Sequence, residues 1–520
     1  MPPSTPGDAP KTPVYAWYVL GILFFVYVLN FIDRQIISIL AEDIKRDLAL
    51  RDEDLGFLYG TAFGVFYALF GIPLGRLADN WHRVRLMTLG LALWSTMTAL
   101  SGFARSGTAL AGARIGVGIG EASASPSAYS LISDWFPKRL RATALAIYSA
   151  GLYVGGGISL GIGGLIVRGW NEAYPAGGPM GLAGWQAAFL IVGLPGLMLA
   201  LLVATLREPV RGQSEGLPPP PPHPAPFTAF MQELVTIVPP LTLIGAAQGG
   251  ARALLTNVAG LVIISGLVSL LIGLGEPVPQ WVAIGIGVYA VFSWASALKR
   301  RDAPTFALIV ANPAFLCTVV AYGLNAFLSY TVSFWAAPYA IRMLGASPAE
   351  AGFIIGGMGA VSGFLGVTIG GLMADRLRAR HPAGRLMVVI FGAIAPPFAI
   401  AAAFTTTNLG LFYLMLFPAQ TLASCALGAA AATTQDLVLP RMRGTATGTF
   451  LIGTTLLGLA LGPYLAGRVS TLSGSLSVGV LAMLVTVPVT LAAAIMAFHL
   501  VPAAEANREA RARAAGEVID

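Results

Sequence analysis

The sequence predicts an all-α membrane protein built from two pseudo-symmetric six-helix bundles, with two extra spans between them. Three observations support this fold class. First, 56% of the 520 residues are hydrophobic and only 11% are charged, whereas soluble domains carry about 25% charged residues. Second, apolar runs long enough to cross a bilayer as helices, roughly 20 residues each, recur along the chain. Third, short motifs of the first half reappear in the second half in the same order.

Fourteen apolar runs are separated by charged or proline-rich segments. The first six lie at about 15–41, 54–78, 85–104, 108–133, 142–167 and 184–206, and the last six at about 313–341, 349–374, 386–405, 409–435, 444–467 and 476–500. Two further runs, 253–274 and 281–298, either fill a lateral opening between the bundles or contact lipid. A shorter run at 234–247 is interrupted by two prolines, and we expect it to be interfacial.

These runs divide the chain into six regions. They are an N-terminal tail (1–14), an N-terminal six-helix bundle (15–206), a Pro-rich cytoplasmic linker (207–230), an inserted interfacial segment with two extra spans (231–305), a C-terminal six-helix bundle (306–500) and a cytoplasmic tail (501–520).

The distribution of Lys and Arg predicts the orientation, because cytoplasmic loops collect these residues. With the N-terminus inside, 22 of the 31 Lys and Arg residues fall on the inner side and seven on the outer side. We therefore expect a multi-pass protein of the cell (inner) membrane with both termini in the cytoplasm.

Three motif pairs relate the two halves. They are Gly-Arg-Leu-Ala-Asp at 75–79 with Gly-Leu-Met-Ala-Asp at 371–375, Tyr-Val-Leu-Asn at 27–30 with Tyr-Gly-Leu-Asn at 322–325, and Arg-Ala-Thr-Ala at 141–144 with Arg-Gly-Thr-Ala at 443–446. Their offsets of 296, 295 and 302 residues are nearly equal. Such agreement indicates two bundles of the same topology, as in the major facilitator fold.

The stretch at 75–85 resembles the loop signature of the major facilitator superfamily, from which it departs at Asn80 and His82. Within that superfamily the chain is similar to bacterial-type members of the spinster-like group of lipid transporters. The similar stretches are Asn-Phe-Ile-Asp-Arg at 30–34, residues 114–122, and Asp-Trp-Phe-Pro at 134–137. This resemblance implies a transporter of lysophospholipid or sphingosine-phosphate type substrates, and it implies nothing about the two extra spans.

Four ionisable residues lie within the predicted spans of the first half: Asp33, Arg34, Arg114 and Glu121. A charge at mid-bilayer costs about 2.5–3.5 kcal/mol on insertion scales, so such residues usually face the bundle interior and serve a function there. Arg114 and Glu121 are seven residues apart and share one helix face. Asp33 and Arg34 point in different directions, which leads to the hypothesis that Arg34 pairs with Glu121 and that Asp33 meets another polar group on a facing helix.

This pattern predicts proton coupling and anion binding. Asp33 and Glu121 are the candidate proton carriers, since a carboxylate whose arginine partner is taken by substrate can bind a proton at physiological pH. Arg34 is the candidate anion clamp, because its planar guanidinium suits phosphate. The other candidate substrate-binding residues are Glu121, Asn30, Arg114, Tyr67 and Ser123 in the first bundle and Asn325, Tyr330 and Trp335 in the second. The alternative that the four charges only neutralise one another and fix helix register stays open.

The two signature motifs predict a cytoplasmic gate. Asp79 is expected to engage Arg139 or Arg141, together with the N-terminus of the helix near Gly444. In the mirror arrangement, Asp375 would engage Arg441 or Arg443 and the helix near Ala142. The remaining gate candidates are Arg83 and Arg376. A solvated charged loop that serves only topology is the alternative.

An enzyme is not expected. The four histidines lie in loops or at a span end, no HExxH motif occurs, and the glycine series at 116–120 lies inside an apolar helix rather than after a strand. We expect no cofactor, no metal and no nucleic-acid partner. The expected partners are an amphipathic small-molecule or lipid substrate, protons and membrane lipids, with the protein acting as a monomer. A proton-coupled multidrug or small organic-ion exporter is the alternative function.

Overall fold

The protein is helical throughout the part of the chain described by its computed structural model, namely residues 14–175, 177–215 and 224–518. Within these ranges there is no β-strand. The predicted N-terminal tail before residue 14 and residues 216–223 of the predicted linker lie outside the described residues.

The first half forms six helical segments. Their helices are α1 (Val14–Asp47), α2 (Asp52–Asn80), α3 (Arg83–Ser101), α4 (Gly107–Glu121), α5 (Ala124–Trp135), α6 (Lys138–Ala173) and α7 (Gly184–Ala204), of which α4 and α5 together form the fourth segment. We use "outer side" for the end that holds the loop between α1 and α2, and "inner side" for the opposite end, which the sequence predicts to be cytoplasmic.

Five helices follow between the halves. They are α8 (Pro226–Ile237), α9 (Leu241–Gln248), α10 (Ala251–Gly273), α11 (Val278–Arg301) and α12 (Ala303–Ile309). The first two meet at an angle of 101°, as a broken span or a re-entrant segment would.

The second half repeats the arrangement of six segments. They are α13 (Pro313–Leu344), α14 (Pro348–Arg378), α15 (Gly384–Thr405), α16 (Leu409–Asp436), α17 (Pro440–Ser473) and α18 (Leu476–Ala506), with a short α19 (Arg508–Ala514) after them. Left-handed glycines end two of these helices, Gly345 after α13 and Gly474 after α17, each with φ 70°.

Twelve helices of the described chain are long and apolar enough to cross a membrane, or 13 if the bent pair α8 and α9 forms one span, so the predicted number of 14 is slightly too high. The predicted span at 85–104 corresponds to α3, which is not among the twelve and carries several Ser and Thr residues. The predicted span at 108–133 fails because the chain breaks between α4 and α5, leaving helices of 15 and 12 residues. Both regions are nevertheless helical and largely buried among their neighbours.

The two halves touch along α6 and α14, where glycines allow the backbones to approach closely. A Cβ atom on Gly157 would lie 2.7 Å from the carbonyl oxygen of Gly356, and one on Gly164 would lie 2.4 Å from that of Pro348. No side chain fits at these positions without moving a backbone.

The inserted spans occupy different environments. Helix α11 lies across the seam between α2 and α17, since a Cβ atom on Gly287 would contact Val65 of α2 and Leu456 of α17. Trp294 of α11 belongs to the same apolar cluster as Val65. Helix α10 packs on α11 and leaves most of its apolar surface uncovered. The insertion therefore fills a lateral opening with one helix and presents the other to lipid.

Candidate functional site

The centre of the first bundle contains a buried ion pair between Arg34 and Glu121. Arg34 Nη2 lies 2.8 Å from Glu121 Oε2, and the glutamate side chain is fully buried. Arg34 comes from the middle of α1, whereas Glu121 is the last residue of α4, where the fourth segment breaks. This is the pair that the spacing of the buried charges predicts.

Aromatic rings surround the Arg34 guanidinium. Its Cζ lies 4.9 Å from the ring centre of Phe31, 4.5 Å from that of Phe63 and 5.0 Å from that of Tyr67. Such cation–π contacts stabilise a desolvated guanidinium. Arg34 Nε has no hydrogen-bond partner among the described residues, so this group keeps a donor for an additional anion. Tyr67 was a predicted site residue, whereas Phe31 and Phe63 were not.

Asp33 takes no part in this ion pair. Its side chain is fully buried, and neither carboxylate oxygen has a hydrogen-bond partner in the described part of the chain. Trp94 and Thr98 of α3 approach the carboxylate. Arg114 is also buried, and its Nη1 donates to the main-chain carbonyl of Asp33 at 3.2 Å. Arg114 therefore connects α4 to the backbone of α1 at Asp33.

The remaining predicted residues of the first bundle differ in position. Asn30 is buried and approaches Glu121. Ser123 instead donates to the carbonyl of Gly120 at 2.8 Å and lies against Gly90 of α3. Ser123 thus packs between α3 and the break after α4 in this conformation, and its role in substrate binding stays a prediction.

Only one predicted residue of the second bundle interacts with the charged centre. Tyr330 lies near Arg34. Asn325 Nδ2 donates to the carbonyl of Ala423 at 3.0 Å, and Trp335 Nε1 donates to that of Pro463 at 3.0 Å. These two buried side chains connect helices within the second bundle, and their contact with a substrate stays a prediction.

An ionic network that the sequence did not predict joins the halves on the outer side. Arg342 of α13 donates to Glu42 of α1 at 2.6 Å and to Asp52 of α2 at 2.7 Å. Arg468 of α17 lies 2.8 Å from Glu53 of α2. The opposite charges at the outer ends of these helices indicate such a network in the sequence, although they had served only to predict the orientation in the membrane.

Uncharged hydrogen bonds extend this closure toward Arg34. Gln35 Nε2 donates to Ser333 Oγ at 2.8 Å, and Ser38 Oγ donates to the carbonyl of Phe334 at 2.6 Å. On the other seam, Thr61 of α2 donates to the carbonyl of Ala460 at 2.6 Å. The outer side is thus closed directly above the charged centre.

On the inner side, the predicted gate residues of the first half contact their own half and the start of the linker that follows it. Arg83 binds Asp134 and Glu208, neither of which was a predicted site residue. Arg141 donates to the carbonyl of Ser133 at 2.9 Å. The arginines that act on Asp79 are Arg211, Arg76 and Arg83. The side chain of Arg139 lies outside the described part of the structure.

The gate residues of the second half also find other partners than predicted. Asp375 lies 3.5 Å from Arg385. Arg441 binds Asp302 at 2.8 Å and also Glu517, and its hydrogen bonds lower the pKa of Asp302 to about 2. Arg376 and Arg443 are exposed. Among the described contacts of this conformation Asp375 is therefore not paired with Arg441 or Arg443, and that pairing stays a prediction for the inward-closed state.

Every ion pair that joins the two six-segment halves within the described residues lies on the outer side. Among the described residues, the ion pairs between the halves thus hold the outer side closed.

Three comparisons agree with this architecture. A family model described as Major Facilitator Superfamily matches residues 23–463 and 319–518. The chain is 28% identical over 458 residues to an MFS-type efflux pump of Mycolicibacterium smegmatis, which covers 88% of this chain and 85% of that protein. It is 26% identical over 468 residues to protein spinster homolog 1 of Xenopus laevis, which covers 87% of this chain and 72% of the relative.

One similar solved structure is that of a bacterial homologue of the human lysosomal transporter spinster, in an inward-facing and occupied conformation. It superposes with a TM-score of 0.66 at 25% identity, covering 97% of this chain and 96% of that one.

Proposed function

Because this chain belongs to the Major Facilitator Superfamily and is a multi-pass membrane transporter rather than an enzyme, we propose that it moves an amphipathic, anionic, lipid-like molecule by alternating access coupled to protons. The observation that carries this proposal is the buried Arg34–Glu121 ion pair beside the unpartnered carboxylate of Asp33.

Arg34 serves as the anion clamp. Its charge is permanent, its guanidinium is planar, and one of its donors is unused. A phosphate or carboxylate headgroup that binds Arg34 competes with Glu121 for the same guanidinium. The aromatic rings on Arg34 leave it desolvated, which strengthens the attraction for an entering anion.

Substrate binding at Arg34 leads to proton uptake at Glu121. A buried carboxylate that loses its counter-charge is costly to keep ionised, so it binds a proton. When substrate leaves, Arg34 pairs again with Glu121 and the proton is released. Substrate and proton are thereby linked through a single guanidinium, and Asp33 provides a second proton site that is not engaged by Arg34.

The alternating step breaks the outer network and closes the inner side. Arg342 and Arg468 hold the outer ends together in the present conformation, and they must release Asp52 and Glu53 for the site to open outward. The gate around Asp79 and Asp375 stays a prediction for the inward-closed state.

The lipid-like substrate is supported by the charge distribution and by similarity. The buried charges at the centre, Asp33, Arg34, Arg114 and Glu121, lie in the first bundle, and Tyr330 of the second bundle lies near Arg34. That asymmetry suits a charged headgroup on one side and an apolar chain on the other. The similarity to proteins named spinster points the same way. We further propose an inner-membrane location with cytoplasmic termini and function as a monomer.

A proton-coupled multidrug or small organic-ion exporter is the second candidate, since an MFS-type efflux pump is among the similar proteins. The buried Arg34 favours anions over the cationic compounds that such a pump would also carry.

Reconstitution into liposomes tests the proposal. A pH gradient is imposed, and the transport of a fluorescent anionic lysophospholipid is compared with that of a cationic dye. We expect pH-driven transport of the lysophospholipid only, and we expect Glu121→Gln to weaken its pH dependence, leaving the contribution of Asp33. The matched control is Glu172→Gln, which removes an exposed carboxylate paired with Arg168. Transport of the dye alone would support the exporter, and pH-independent transport by the unaltered protein would overturn proton coupling.

A further inference from the structure

A second group of polar atoms lies beside Asp33, on the side that faces α3. Both Asp33 carboxylate oxygens, Trp94 Nε1 and Thr98 Oγ1 are buried and have no hydrogen-bond partner among the described residues. The three residues are between 0% and 1% exposed. Buried polar atoms without partners are rare in native proteins, so several in one place indicate a functional arrangement.

The register of α1 against α3 brings these atoms together. A Cβ atom on Gly196 would lie 2.0 Å from Ser95 Oγ and 2.9 Å from Leu29 Cδ2, so Leu29 and Ser95 meet at this level. Asp33 is one helical turn beyond Leu29, and Thr98 is close to one turn beyond Ser95. Trp94 and Thr98 are four residues apart and share a face of α3.

We propose that Thr98 and Trp94 are positioning residues that hold the Asp33 carboxyl group in both of its protonation states. The inference rests on the proposed proton coupling. A threonine hydroxyl can donate to the ionised carboxylate, and after a rotation it can accept from the protonated acid. The tryptophan N–H can only donate, so it binds the carboxylate oxygen that carries no proton. The proton itself binds to and leaves the Asp33 oxygen, and no other bond changes.

The charged groups near Asp33 are few. Glu121 and Arg114, both on α4, act on it electrostatically, and Arg34 follows it in α1. Helix α3 carries charges only at its inner end, α6 only near its two ends, and α7 has none. Thr98 and Trp94 are therefore the neutral groups that α3 contributes, and their removal leaves the surrounding charges unchanged.

The test measures proton-driven transport of the anionic lysophospholipid over a pH series in proteoliposomes. Thr98→Val keeps the side-chain shape but cannot donate to the ionised carboxylate. We expect it to move the pH of half-maximal transport upward by about one unit, a tenfold change in proton affinity. Thr98→Ser should restore the original profile, and Trp94→Phe should move it in the same direction as Thr98→Val.

The matched control is Thr96→Val on the same helix. Thr96 is exposed and donates to the carbonyl of Ala92 at 2.7 Å. Thr98→Val and Trp94→Phe profiles that coincide with the Thr96→Val profile would overturn the inference. If Thr98→Val fails to fold, the pH profile of Trp94→Phe tests the inference instead, together with the pH at which the infrared C=O band of protonated Asp33 appears. Asp33→Asn separates the two proposals, because an unchanged pH dependence in that variant contradicts the role of Asp33 itself.

Discussion

Arg342 donates to both carboxylate oxygens of Asp52, at 2.7 and 2.8 Å, and so joins the last turn of α13 to the first turn of α2. This two-point contact connects the two halves directly at their outer ends. Hydrogen bonds to charged groups contribute about 1.5–3 kcal/mol each. We expect Arg342→Gln to shift the conformational equilibrium toward the outward-open state by at least about tenfold, which corresponds to about 1.4 kcal/mol.

The shift can be measured as a distance between spin labels on the outer side. Exposed positions Arg105 and Ser473 lie on different halves, and the native Cys317 and Cys425 are replaced by alanine. The control is Arg46→Gln, which breaks an exposed ion pair with Asp43 within α1. Equal distance distributions in the Arg342 and Arg46 variants would show that the Arg342 contact does not hold the outer side.

Arg468 is shared between two carboxylates that belong to different parts of the chain. Glu53 of α2 lies at 2.8 Å and Glu276, in the loop between the inserted spans, at 3.4 Å. Tyr464 of α17 also donates to Glu276 at 3.2 Å, so the inserted loop is bound to α17. Glu276 can therefore keep Arg468 paired when Glu53 moves away.

This arrangement predicts opposite effects for two matched substitutions. Glu53→Gln weakens the contact between halves and should favour the outward-open state. Glu276→Gln removes the partner that remains after opening, so it should favour the closed outer side. The spin-label distances described above measure both variants. The same direction of change in both would contradict a competition for Arg468.

Close backbone packing between α6 and α14 can be tested with neighbouring glycines. An alanine at Gly157 would place its Cβ 2.7 Å from the carbonyl oxygen of Gly356, whereas an alanine at Gly156 would meet nothing within 4 Å. Overpacking of this kind costs about 1–3 kcal/mol. We expect Gly157→Ala to lower the Tm by several degrees and to reduce transport, and Gly156→Ala to leave both unchanged. Similar Tm values for the two variants would contradict this packing.

The sequence predicted those features that a local pattern determines. Charges inside apolar runs are costly in lipid, so Asp33, Arg34 and Glu121 were recognisable as interior residues, and the Arg34–Glu121 pair followed from their spacing. The break after Glu121 was not predicted, because residues 108–133 form one continuous apolar run in the sequence. That break accounts for one of the two regions by which the number of spans was overestimated.

Long-range partners were harder to predict. Asn325 and Trp335 looked like cavity residues because polar and aromatic groups in spans often line a substrate path, yet backbone carbonyls of neighbouring helices bind both. Arg342 and Arg468 were assigned to outer loops when Lys and Arg were used to predict the orientation. That assignment gave no information on their ion pairs between the halves. Hydrophobic periodicity also gives no information on which seam an inserted helix will cover.

Arg34 offers the sharpest test of the substrate site, because substitutions at this position can change the shape of the side chain with or without its positive charge. Arg34→Lys keeps the positive charge opposite Glu121 but loses the planar fork of donors and the stacking on Phe63 and Tyr67. We expect KM for the anionic lysophospholipid to rise about tenfold or more, with a smaller change in kcat, since the lost contacts are made to bound substrate. Arg34→Gln should remove transport altogether, because Glu121 then has no counter-charge to exchange. An unchanged KM in Arg34→Lys would mean that the guanidinium only balances Glu121 and does not bind the headgroup.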